Sequence, residues 1–294
     1  MLFHKTVKVE PEVYKLFKRG SRTYFNSTLF FPPEVRTEVF RLYAFLRKAD
    51  NFVDVIPQDV DGFFQFREEY EKAVNGYPTS DVVVREFVAL SNEKKFEPAW
   101  VEAFLDAMQS DLYHKTYETI DELCKYMYGS AEVVGLFMAK ILGLSEESYI
   151  YARYLGRAMQ YINFIRDIRE DFILGRQYLP LQELMEYGIE GFDPYLICPK
   201  IQSFQTFIRR QILRYFEWQK IAEKGYRYIP YRYLIPIKTA ADMYKWTAKT
   251  IYRTPSIVFL HKVKPNKTRI FLNANVNFIQ AMRFKFPLGG MTWF

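Results

Sequence analysis

Apolar residues return at helical intervals through most of this chain, as in PPEVRTEVFRLYAFLRKADNFVDVI, DVVVREFVALSNEKKF, PAWVEAFLDAMQSDLY and ESYIYARYLGRAMQYINFIRDIREDFILG. Alternating runs bounded by hairpin turns are lacking, so the sequence predicts an all-α fold. Pro32 and Pro33 suit the first turn of a helix, where a missing N–H does no harm, and Pro57 closes the same helix. Later breaks at Gly76, at Gly143 and between Gly188 and Pro199 are too short to separate one domain from another. The expectation is one helical domain over residues 1–294, whose 27 Phe, 23 Tyr and 4 Trp supply ample apolar surface for a core.

What the chain lacks narrows its chemistry. Two cysteines, Cys124 and Cys198, and three histidines stand far apart without zinc spacing, so a bound metal must take oxygen ligands. No glycine-rich dinucleotide or triphosphate loop occurs, which leaves metals and Arg or Lys to hold phosphate groups. No stretch approaches twenty apolar residues and the start has no signal-peptide core, so the expected location is cytoplasmic, with contact at the inner membrane face left open. A net charge of +7 favours anionic partners. Lys and Arg are mixed with acids along the chain, which argues against nucleic acid. The densest basic segment, HKVKPNKTR at 261–269, reads as a solvated loop or as one that steers diphosphates or touches anionic lipid. Oligomeric state is not readable.

Two acidic stripes stand out. On the helix opened by Pro32 and Pro33, Tyr43, Arg47, Asp50 and Asp54 share an arc of roughly 60° at about 100° per residue. Apolar Leu42, Leu46, Ala49 and Val53 run beside it, and Arg41 and Lys48 mark the expected solvent side. In the second stripe Gln160, Asn163, Asp167 and Asp171 fall within about 80° on another helix. A solvated acidic run would face away from the apolar stripe rather than adjoin it. Buried carboxylates need cations. One solution is a structural salt-bridge network with Arg22, Arg47, Arg166 and Arg176. The other is that the stripes face across a cavity and hold Mg²⁺, or Mn²⁺ in its place, with Gln160 and Asn163 adding neutral oxygens. A metal bridging carboxylates and a diphosphate makes C–O cleavage feasible. Phe and Tyr rings can then shelter the resulting carbocation from water.

These segments resemble the squalene and phytoene synthase family from about Ser21 to Tyr252. SRTY at Ser21–Tyr24 is similar to a family segment that implies a diphosphate contact for Arg22. YAFLRKADNFVD resembles the first aspartate motif, implying metal-facing Asp50 and Asp54 with Arg47 on a diphosphate. MQSDL, ending at Asp111 and Leu112, is similar to a further, less informative signature. ELCKYMYGSAEVVG resembles the segment bearing a catalytic tyrosine, whose register falls on Tyr126. LGRAMQYINFIRDIREDFILGRQYLP resembles the second aspartate motif, implying Asp167 and Asp171 as metal ligands and Gln160, Asn163, Arg166 and Arg176 around the diphosphate. Tyr43 is a second catalytic candidate, and Phe25 and Phe164 are candidate pocket residues. Asn51 replaces a frequent Asp but points off the inward arc, Tyr24 replaces Phe, and Glu132 replaces a glycine of the V-A-G-x-V-G pattern.

The resemblance implies head-to-head condensation of two prenyl diphosphates through a cyclopropylcarbinyl diphosphate. Proton loss then gives phytoene or dehydrosqualene, whereas hydride from NADPH gives squalene. The chain is expected to make phytoene from two geranylgeranyl diphosphates, and NADPH would enter only if the product were squalene. The alternatives are squalene or dehydrosqualene synthesis from farnesyl diphosphate and, more remotely, a non-catalytic scaffold protein.

Overall fold

A computed structural model describes residues 9–20 and 22–285, the side chains of 22, 23 and 280–285 excepted. The expected contact of Arg22 therefore lies outside the described side chains. The helices in chain order are α1 (Pro11–Gly20), α2 (Arg22–Thr28), α3 (Pro33–Asp54), α4 (Val60–Val74), α5 (Val82–Lys94), α6 (Pro98–Tyr113), α7 (Ile120–Met127), α8 (Val133–Ile141), α9 (Tyr149–Arg166), α10 (Ile168–Ile173), α11 (Leu181–Met185), α12 (Pro194–Ile197), α13 (Ile201–Glu223), α14 (Tyr231–Arg253), α15 (Ile257–Leu260) and α16 (Lys267–Lys285). Among the described residues there is no strand, only a bridge between Thr116 and Gln177 that ties the chain after α6 to the chain after α10.

Two long helices, α3 and α9, organise the rest. Val39, Leu42, Phe45, Ala49 and Val53 bury one flank of α3, where Phe45 stacks on Phe87 of α5 at 3.8 Å. Each such ring or aliphatic chain taken from water stabilises the fold by about 1.5–3 kcal/mol. The N-terminus of α5 is held by Asp81, whose carboxylate accepts from the Val83 and Val84 N–H groups. α3 has no free solvent side at Arg41, contrary to the periodicity. Arg41 is 8% exposed because its guanidinium donates to the Glu86 carbonyl and pairs with Glu86 and Glu93 of α5. Acids on the neighbouring helix reversed the orientation that charge alone suggested.

α9 packs between α8, α13 and α14. A Cβ at Gly135 would lie 2.2 Å from the Ala152 carbonyl, and one at Gly156 would lie 2.2 Å from that of Ala131, so α9 is in backbone contact with α8 and with the turn that precedes it. Between α7 and α8 the chain widens into a π-turn, Tyr128–Glu132, a local form often found at functional sites. Glu132 is fully buried there. Its carboxylate accepts from Arg153 Nε at 2.8 Å and from Arg157 Nε at 2.6 Å.

Candidate active site

The second acidic stripe is not one unbroken helix. α9 ends at Arg166, Asp167 takes φ −101° and ψ 12°, and α10 begins at Ile168. Asp167 N–H still donates to the Asn163 carbonyl and Asp171 N–H to that of Asp167, so the bend preserves the facing of the stripe. Phe172, next to Asp171 in sequence, is 40% exposed.

α3 and α9–α10 form opposite walls of a cleft of about 560 Å³, within the usual span of ligand pockets of roughly 300–1,000 Å³. Asp50, Asp54, Asp167 and Asp171 line it with Arg47, Arg166 and Arg176, and Gln160, Asn163, Tyr43 and Tyr126 lie among them. Asn51 points away and is exposed. Phe164 lines the cleft, whereas Phe25 is core, packed on Phe17 and Phe40.

The charges on the two walls are handled differently. Arg47 Nη1 donates to Asp50 and lies 3.7 Å from Asp54. Arg176 donates to Asp54 at 3.0 Å, to the Tyr178 hydroxyl at 3.3 Å and to the Val53 carbonyl, spending both terminal nitrogens on protein groups. Asp167 accepts both arms of Arg166 at 2.6 Å and Lys262 at 2.8 Å. Burial alone would raise its pKa, but these cations bring it below the ordinary aspartate value. Asp171 makes no ion pair among the described residues. Burial, with Asp167 and Asp54 nearby, pushes it well above the aspartate range. Burial and Asp54 likewise raise Asp50 to about 7. Its accessible surface faces the cleft.

A fifth acid lines the cleft, Asp111 of α6, 3% exposed. It accepts from the Tyr126 hydroxyl at 2.7 Å and the Tyr178 hydroxyl at 3.0 Å. Burial lifts it to about 6, against the pull of Arg176 and the two hydroxyls. Burial and the charge of Asp111 keep the Tyr126 hydroxyl protonated far above neutrality. Phe164 stacks on Tyr178 at 4.1 Å and Tyr126 on Tyr178 at 5.5 Å, which gives the floor of the cleft a bank of π faces. No site role is read for Asp111 or Tyr178 from the sequence. A signal for Asp111 does exist there, since it shares one helical arc with apolar Val101, Phe104 and Met108.

The cleft continues into an apolar tunnel. Tyr24, Tyr43, Leu46, Ser130, Val134, Gln160 and Asn163 line both. Tyr24 bridges to α9 through its hydroxyl, 2.8 Å from Met159 Sδ, and Tyr43 stacks on Phe17 at 4.1 Å. The tunnel follows α8 and α9 past Gly135, Met138, Ala152 and Leu155 towards Ser148.

Do these residues suit a divalent cation? Among the described residues, no three His, Cys, Asp or Glu side chains close on one point as a preformed cage would. Mg²⁺ seldom uses one, taking one or two carboxylates and completing its shell with water and phosphate oxygens. The donors are hard oxygens, two carboxylates are under-compensated, and the Asn163 Oδ1 is buried without a partner. The set fits such an ion.

Helices that close two acidic walls over an apolar tunnel define a class suited to substrates with a diphosphate head and a long apolar tail. The squalene/phytoene synthase family profile matches residues 17–269, and the chain belongs to that family of prenyltransferase-like enzymes, which bind prenyl diphosphates. It is 31% identical over 222 residues to the chloroplastic phytoene synthase 2 of Solanum lycopersicum, a match covering 70% of this chain and 69% of that one. Its fold is similar to that of a dehydrosqualene synthase solved with a ligand, at TM-score 0.80, 20% identity and coverage of 92% and 95% of the two chains. A squalene synthase from Alicyclobacillus acidocaldarius follows at TM-score 0.73 and 22% identity, covering 82% of this chain and 92% of that one. The single helical domain expected from the periodicity is thus the isoprenoid synthase fold. No helix among the described residues is long and apolar enough to cross a membrane.

Proposed function

We propose that the chain condenses two geranylgeranyl diphosphates head to head into phytoene by way of a cyclopropylcarbinyl diphosphate. The observation that carries this reading is the continuity of the two-walled cleft with a tunnel running along α9. From Asn163 to Ser148 that helix rises about 22 Å at 1.5 Å per residue. A prenyl unit adds four chain bonds, about 5 Å extended, so a C20 tail of about 20 Å matches this length better than a C15 tail of about 15 Å.

Within this reading Asp50, Asp54, Asp167 and Asp171 hold Mg²⁺, which when bound withdraws charge from the leaving diphosphate. Arg22, Arg47 and Arg166, with Gln160 and Asn163, contact the diphosphate oxygens. Arg176, assigned by sequence to the same contact, is better placed to orient Asp54, since its terminal nitrogens are already engaged. Tyr126 stays neutral and turns its ring and oxygen towards developing positive charge, oriented by Asp111. Tyr43 and Tyr24 stand where head and tail meet and screen that charge from water.

Incubation with Mg²⁺ and either farnesyl or geranylgeranyl diphosphate, with and without NADPH, followed by identification of the hydrocarbon, tests the reading. Phytoene from the C20 substrate without NADPH is expected. Squalene or dehydrosqualene from the C15 substrate alone would overturn the chain-length assignment, and no product from either would return the protein to the scaffold alternative. A sharper version uses Ala152→Phe, which obstructs the tunnel about 16 Å from Asn163. It should cut turnover of the C20 substrate at least tenfold while sparing the C15 substrate.

A further inference from the structure

The C-terminal stretch of the chain gives Lys262 and Lys264 to the cleft and carries further features that the cleft does not use. Of 41 Lys and Arg, nine follow Asp242, and none of the 34 Asp and Glu does, so the mixing of charges ends there and the first 242 residues are net acidic. Within the basic stretch, α16 is fastened to α14 by a polar clasp. Lys238 Nζ donates to Asn277 Oδ1 at 2.8 Å, and Asn277 Nδ2 donates to Asp242 at 3.1 Å and to Thr239 at 3.3 Å. Ile270 and Ala274 complete that buried face.

The other face of α16 bears Phe271, Leu272, Val276, Phe278 and Ile279, from 43% to 62% exposed. Phe271 meets Phe30 edge-on at 5.5 Å, which extends the patch to exposed Leu29. Isolated surface apolars are ordinary, but five on one side of a single helix, with exposed Thr268 and Asn275 among them, are not. Lys267 and Arg269 are exposed at its N-terminal end. α16 packs on α2 and α14, which also give Thr28 and Ile237 to the tunnel wall.

We propose that α16 docks the protein on an anionic lipid surface, its apolar side entering the headgroup boundary and Lys267 and Arg269 at its N-terminal end meeting lipid phosphates. Charge selects this occupant: an acid-free, basic, apolar face complements anionic lipid, whereas a second copy of the same face would bring like charges together. The docking rests on α16 and not on the reading of the cleft. That reading would give it a use, placing the tunnel wall beside the phase in which long prenyl tails and a hydrocarbon product dissolve.

The test is flotation of the full chain with vesicles of phosphatidylcholine alone or with phosphatidylglycerol, without substrate. Binding only to the anionic vesicles, weakened by salt, is expected. Lys267→Glu should weaken it about fivefold or more. Leu272→Glu/Phe278→Glu should abolish it while leaving circular dichroism and turnover of detergent-dispersed substrate intact, and Tyr195→Ser, on the exposed α12, should change nothing. Equal binding by wild type and the double variant would overturn the proposal, as would a wild-type dimer that the double variant splits without any vesicle binding. Either failure would leave the assignment of the cleft standing, because that assignment is judged by product formation in detergent.

Discussion

The two walls of the cleft solve the same electrostatic problem in opposite ways. On α3 each aspartate has an arginine, Asp50 through Arg47 and Asp54 through Arg176. On α9–α10 the cations are concentrated on one residue: Asp167 takes Arg166 and Lys262, and Asp171, one turn on, takes none among the described residues. The stripes look equivalent in sequence, but only the α9–α10 wall keeps a carboxylate with no ion pair among the described residues. A cation from outside the chain would gain most at Asp171 and at Asp50, whose single arginine does not offset its burial.

The largest effect should come from removing those two. Asp171→Ala or Asp50→Ala should lower turnover by about 10³ or more, since a bound cation supplies several kcal/mol of charge stabilisation, with the helical circular dichroism signal intact. Full activity in either variant would break the comparison outright. Next is the floor between the walls. Tyr126→Phe should cost about a hundredfold and release some cyclopropyl intermediate, and Asp111→Asn, which only loosens the tyrosine, should cost less. An Asp111→Asn variant as slow as Asp50→Ala would make Asp111 a ligand instead of a positioning residue.

The smallest effect sharpens the comparison within one wall and is measured as thermal stability in chelator. Asp167 binds its proton more weakly in the folded than in the unfolded chain, so it stabilises above the ordinary aspartate range and loses that contribution as pH falls through its lowered pKa. Asp171 binds its proton more tightly when folded. Its penalty is absent at low pH and grows as pH rises from the aspartate range through the raised value. At pH 8, Asp167→Asn should therefore lower Tm and Asp171→Asn raise it, each by a few degrees, and the Asp171 effect should shrink at pH 5. Shifts of the same sign would show that the unequal pairing has no energetic meaning.

The inward arc of α3 was legible because its members lie within three turns of one regular helix, where spacing fixes facing. The break at Asp167 and the π-turn at Tyr128–Glu132 were not, because both depart from the period on which the reading depends. Arg41 failed for another reason: its partners Glu86 and Glu93 come from α5, and pairing between distant segments leaves no trace in local periodicity. Asp111 and Tyr178 were obscured in the same way, since their meeting depends on the return of the chain after α10. In sequence, Asp111 is marked only by the MQSDL signature, which implies no role for it, and by its place on an apolar arc.

Glu132 constrains the order in which its neighbourhood could have changed. It stands where the resembling pattern has glycine, and a buried carboxylate without partners costs several kcal/mol. Arg153 and Arg157 keep 37% and 19% of their side-chain surface exposed and lie over the rings of Tyr128 and Trp218, so either is tolerable without the acid. The arginines are therefore the permissive substitutions and the glutamate the one that had to follow. Starting from a glycine-bearing relative, a library that introduces the acid first should yield unfolded protein, and one that introduces the arginines first should not.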